Sequence, residues 1–309
     1  MRLILISILM LSTSGCQAQM QKWQRERTVE HLSRLNSYHG QINWNIAGET
    51  SETEIWFQVP NRFLTVSKNG EIVRSDGSTM EVYDPRTKFY SIFRNLPLVS
   101  ESDSQQLVRT IFDQSMKIFN FSLGRLGKIA GRDVIELRAV PKRESIINSG
   151  ESQIFDEYSF PLKSVLAFKG GQTAKYEFTD ITMNQKFVLP KAEIPKGVFK
   201  LEWDFSAASV ADNEKDIQFQ DLKLEKKLKR DTGEILCYYK NGAQYLSVIR
   251  YKNLGVPPRA RGISVKVGSR SAFLLPGPLS NMLTVSDKET TWIYSSNLLA
   301  DDLIAFASK

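Results

Sequence analysis

Histidine and cysteine are nearly missing from this chain, with two of each in 309 residues. His31 and His39 stand apart from any H-E-x-x-H spacing, so a zinc site of that kind is excluded. No G-x-S-x-G, phosphate-binding loop or G-x-G-x-x-G occurs either, which removes the usual sequence signs of a hydrolase, nucleotide enzyme or dinucleotide enzyme. His39 has no nucleophile near it in sequence to serve as a base. We therefore expect no enzyme activity, no catalytic residue, no metal and no cofactor. Long hydrophobic runs are lacking too. The longest, Leu3–Leu11, falls short of the roughly 20 apolar residues that span a bilayer. Lys and Arg exceed Asp and Glu by 41 to 34, but they are scattered and no nucleic-acid motif accompanies them. Nucleic acid is not an expected partner.

What the N-terminus does have is an early Arg2, that apolar run, and then Ser12-Thr13-Ser14-Gly15-Cys16, the build of a secretory signal peptide. Its end in Gly15-Cys16 resembles the bacterial lipobox, in which the cysteine is acylated and becomes the first mature residue. Thr13 stands where that motif usually has Leu. The other processing site on offer, after Ala18, is a poor small-x-small match. The expectation is a signal peptide over 1–15, lipid attachment at Cys16, and a lipidated tether over 16–22. Such a protein is a membrane-anchored lipoprotein of the cell envelope, facing the periplasm or the cell exterior. Acylation would consume the Cys16 thiol and leave Cys237 without a disulfide partner. Cys237 lies in the apolar stretch Ile235-Leu236-Cys237-Tyr238-Tyr239 and reads as a buried structural residue.

Past the tether, Val29, Leu32 and Leu35 mark a short amphipathic helix. Period-two alternation then begins, with Ile42, Trp44 and Ile46 on one side and Asn43 and Asn45 on the other. Short strands follow over 54–59, 62–67, 72–74, 79–83 and 88–93. They are separated by Pro60-Asn61, Asn69-Gly70, Asp76-Gly77 and Asp84-Pro85, the punctuation of an antiparallel meander. A helix is predicted over 104–119 from Leu107, Val108, Ile111, Phe112 and Met116. Strands resume over 134–140, 153–159, 164–169, 174–181 and 198–205, with an extended connection over 184–196. The polar stretch 207–218 reads as a linker between a large domain over 23–206 and a small α+β domain over 219–309. The dense basic run Lys223–Arg230 reads as a solvated edge.

Aromatics concentrate in the first half of the large domain. A curved sheet with a helix over its concave face can leave an apolar cleft, and each CH₂ moved into it from water is worth about 0.8 kcal/mol. Trp44, Trp56, Phe57, Phe63, Phe89, Phe93 and Phe112 are the candidate lining residues. Trp56 stands out, because Ile55 and Phe57 point one way and Trp56 the other, beside Glu54 and Gln58. A large ring on a polar face needs a partner.

Three segments carry a family resemblance: Leu35-Asn36-Ser37-Tyr38, Glu54-Ile55-Trp56-Phe57-Gln58-Val59-Pro60-Asn61-Arg62-Phe63, and Ser75-Asp76-Gly77-Ser78-Thr79-Met80-Glu81-Val82-Tyr83-Asp84-Pro85. They resemble the LolA superfamily of outer-membrane lipoprotein carriers and its relative RseB. The ending Thr290-Thr291-Trp292-Ile293-Tyr294 running into Leu298–Ala307 resembles YdcC-type sporulation lipoproteins, which add a small second domain. The resemblance implies an α+β fold: a curved antiparallel half-barrel lidded by helices, followed by a smaller α+β domain. It also implies a ligand, lipid or the acyl chains of lipoproteins, and a role in lipoprotein sorting. The alternative it implies is an RseB-like regulator that senses envelope lipoproteins and restrains a signalling protein partner. A free LolA carrier has one domain and no anchor, so a chain with both an anchor and a second domain is expected to work at one membrane.

Overall fold

A computed structural model describes residues 25–309 except 60, 87, 97–100, 156, 208, 210–220, 243, 253–261 and 278–279; the side chains of 101–104 and 107 are also not described. The expected signal peptide, Cys16 and the expected tether fall outside these residues, as does most of the 207–218 segment.

A helix, α1, covers 25–33. The meander follows as β1 (Ser37–Ile46), β2 (Glu49–Gln58), β3 (Arg62–Ser67), β4 (Ile72–Asp76), β5 (Met80–Asp84) and β6 (Phe89–Arg94). Then come α2 (Glu101–Ile118), β7 (Phe119–Ile129), β8 (Arg132–Pro141), β9 (Ile147–Phe155), β10 (Phe160–Phe168), β11 (Thr173–Met183) and β12 (Phe199–Asp204). These strands form one open twelve-stranded sheet in the order β12-β6-β5-β4-β3-β2-β1-β11-β10-β9-β8-β7. All pairs are antiparallel except β12 on β6. The expected curved antiparallel sheet is thus observed, with one parallel edge strand added.

The second sheet contains β13 (Lys223–Lys229), β14 (Ile235–Asn241), β15 (Gln244–Lys252), β16 (Ile263–Val267), β17 (Arg270–Pro276), β18 (Asn281–Ser286) and β19 (Thr290–Ser296), and α3 (Ala300–Ala307) packs on it. Lys223–Arg230, expected as a solvated edge, is itself mostly a strand: β13 lies at the sheet's edge, where exposed lysines discourage pairing with other chains. Cys237 is half-buried against the core beneath α3.

Core packing joins the two sheets. Phe168 and Ala174 of the large sheet belong to the same apolar cluster as Leu246, Leu283, Leu303 and Phe306. Polar contacts fix the same junction. Asp301 accepts hydrogen bonds from Ser145 Oγ at 2.6 Å and from the Ile146 amide at 3.0 Å.

Where β12 ends, Asp204 organises the exit of the chain. Its Oδ1 accepts from Asn95 Nδ2 at 2.8 Å, Ser206 Oγ at 2.7 Å and the Ser206 amide at 2.8 Å. These bonds favour the charged form, Asn95 most, and hold the Asp204 carboxyl down at about 2. A depressed value means that its contribution to stability is present above pH 3.8 and lost as pH falls towards 2. In a carboxyl NMR titration Asp204 is expected to remain ionised at about pH 3 and to move back towards the ordinary aspartate value in Asn95→Ala. An ordinary titration of Asp204 in the parent chain would contradict this.

Candidate functional site

Strand register explains why the concave face has an opening. Residues directly opposite across paired strands share one face. One such row runs Trp44, Tyr176, Ser164, Ser152, Leu137 across β1, β11, β10, β9 and β8. The next runs Ile46, Ala174, Leu166, Gly150, Ala139 and on to Phe121 of β7. The first row is small at Ser164 and Ser152, and the second is small at Ala174, Gly150 and Ala139 with Leu166 between. Small residues inside a curved sheet leave volume that large ones would fill.

The result is a cavity of about 300 Å³ over these rows, at the small end of the range for ligand sites. Ile111 and Ser115 of α2 contribute to its lining. The second sheet contributes Pro276, Gly277, Ser280 and Asn281, together with Asn297–Ala300 leading into α3. That part is held by Asn281 Nδ2 donating to the Leu298 carbonyl at 2.8 Å and the Tyr245 amide donating to Asn297 Oδ1 at 2.9 Å. Gly150 is close-fitting: a Cβ there would lie 3.2 Å from Leu166 Cδ2.

The lining is mainly apolar. The facing hydroxyls of Ser152 and Ser164 bond each other at 3.3 Å, which spares them a desolvated, unpaired state. Burial pushes the Tyr176 phenol up, so it stays neutral. Lys175 is the one charged lining residue among those described, and its Nζ lies 2.8 Å from Glu177 Oε2. Among the described residues no His, Cys, Asp or Glu lines the cavity. This set suits holding an apolar group, and it offers no proton-transfer pair.

Of the seven aromatic candidates, Trp44 lines the cavity and the other six do not. Trp56 faces the opposite side of the sheet, where its ring stacks on His39 at 4.9 Å and packs with Leu64, Leu189 and Ile194. The His39 ring is the partner its position called for, and the chain's own 187–198 connection packs against the same cluster. His39, whose Nε2 lies 2.8 Å from Glu54 Oε1, belongs to the same layer. Phe57 stacks on Tyr38 at 5.2 Å and faces Phe63 across the β2–β3 pair. Phe89 meets Phe199 and Tyr251, while Phe93 packs with Trp203, Leu228 and Leu236 between the two sheets. Phe112 follows Ile111 on α2 without joining the lining. Sequence reading missed the residues that create the space, Ala139, Gly150, Ser152 and Ser164. Their signal is a shortage of bulk at inward positions, visible once the strands are aligned side by side.

Among the described residues no helix is long and apolar enough to cross a membrane, and no group of three or more His, Cys, Asp or Glu is placed to hold a metal. No protein-family model matches the sequence, and no curated protein matches it. Solved structures do show similarity. MucB aligns at 18% identity with a TM-score of 0.49, over 89% of this chain and 92% of that one. The MucA/MucB complex of Pseudomonas aeruginosa aligns at 17% and 0.46, over 93% and 96%. A LolA superfamily protein from Nitrosomonas europaea aligns at 9% and 0.24, over 53% and 94%.

Proposed function

We propose that this chain is a non-enzymatic binding protein of the bacterial envelope that holds acyl chains of lipid or lipoprotein. The observation that carries the reading is the apolar cavity, with small residues at its base and the second sheet in its wall. Burial there would favour an alkyl chain by about 0.8 kcal/mol per CH₂. Acylation at Cys16 would keep the protein at one membrane, and a role in lipoprotein sorting would be exercised there. The division into a large domain over 23–206 and a small one over 219–309 is part of the same proposal.

A second reading, sensing with restraint of a protein partner, is favoured by one feature. The cavity wall includes the approach to α3, so an occupant touches both sheets at once. A ligand can shift an equilibrium only through such differential contacts.

A dansyl-labelled fatty acid tests the binding reading. Saturable binding at about micromolar affinity is expected for the parent chain, weakened at least about tenfold by Trp44→Glu. Absence of saturable binding by the folded parent, or undiminished binding by folded Trp44→Glu, would defeat it.

A further inference from the structure

We propose that the rim formed by β7 docks on an anionic lipid bilayer, bringing the cavity wall against the membrane. β7 is an outermost strand of the twelve-stranded sheet. Its register runs Phe121 to Ala139, Leu123 to Leu137, then Leu126 to Ile135, so β7 advances three residues while β8 advances two. The extra residue is a bulge at Gly124-Arg125, and it places Leu123 and Leu126 on the same concave side as Phe121. Leu123 is 52% exposed and Leu126 is 80% exposed. Phe119 and Phe121 of the same strand line the cavity. An apolar row therefore runs from the cavity wall to the rim.

The charges around this row are mainly basic. Lys117, Arg125 and Lys142 are exposed. Of the carboxylates on β8, Asp133 is paired with Lys128 at 3.4 Å and Glu136 is buried against Arg138. Projecting leucines flanked by lysine and arginine have the chemistry of an interfacial contact, with apolar tips among acyl chains and cations at anionic headgroups. An added peptide strand suits the rim less well, because the bulge interrupts the even ladder of edge hydrogen bonds that such a strand needs. The cargo rests on the acyl-binding reading: a chain leaving the bilayer at Leu126 passes Leu123 and reaches Phe121. The docking itself does not need that reading.

Amide hydrogen exchange on the full chain tests this, since the readout is local whatever the N-terminus does. With vesicles of equal parts phosphatidylglycerol and phosphatidylethanolamine, amides of 121–127 are expected to exchange at least about tenfold more slowly. Pure phosphatidylcholine vesicles should give no such slowing, and Leu126→Asp should abolish it while leaving the urea unfolding midpoint unchanged. Equal slowing on both vesicle types would overturn the anionic preference. Slowing that depends on protein concentration without vesicles would assign the rim to a second copy of the chain. No slowing at all would remove the docking surface. If fatty-acid binding fails while the vesicle-dependent slowing holds, the acyl-binding reading falls and the docking stands.

Discussion

Ser152→Phe is expected to weaken fatty-acid binding at least about tenfold, a loss of about 1.4 kcal/mol. Ser152 sits mid-row beneath the cavity, between Ser164 and Leu137, so a benzyl group there would occupy the space a ligand needs. Overpacking costs about 1–3 kcal/mol of stability, so binding must be read on protein shown to be folded. Thr65→Phe is the matched control. By register Thr65 lies on the same face as Ile55, on β3 and outside the cavity lining. Binding should be unchanged there. If Ser152→Phe binds as the parent does, the ligand lies elsewhere.

Phe306→Ala should cause the largest loss of stability, about 3–5 kcal/mol. The ring is fully buried, with edge contacts to Tyr239 at 5.6 Å and Tyr294 at 6.2 Å. It anchors α3, whose leading residues Leu298–Ala300 line the cavity, so fatty-acid binding should weaken in parallel. Urea unfolding followed by circular dichroism checks the stability term. A loss below about 1 kcal/mol would mean that the site relaxes around the deleted ring.

Most of the architecture was legible in the sequence because its hairpins are punctuated locally. Asn69-Gly70, Asp76-Gly77 and Gly170-Gly171 each mark a turn between strands that alternate cleanly, and the meander follows from them. β7 was not legible, since its bulge breaks the period-two pattern and Gly124 and Gly127 weaken the strand signal. A Cβ at Gly124 would collide with the Glu136 carboxylate, a tertiary reason for glycine that the linear sequence does not show. β13 was obscured by its lysines at 223, 226, 227 and 229, which do not alternate and so read as a charge run. For the cavity, the aromatic ring count singled out Trp44 but not the small residues beneath it. Large rings mostly fill the space they occupy, and Trp56, Phe57 and Phe93 each do so against their own neighbours.

The pairing of β1 with β11 bears on how the chain becomes organised as it emerges. Ile46 opposes Ala174, so the early strands cannot be joined to the β7–β11 block until Ala174 is available. The β1–β6 meander can zip from its turns alone, whereas the β1–β11 seam waits on loop closure across the whole intervening length. Trp44 and Tyr176 face each other across that seam, and the second sheet supplies the rest of the cavity wall later still. Cavity assembly is thus a late event, and a chain stalled before it would already display the apolar rows with nothing to cover them. Such an intermediate is the species that chaperones and proteases would meet.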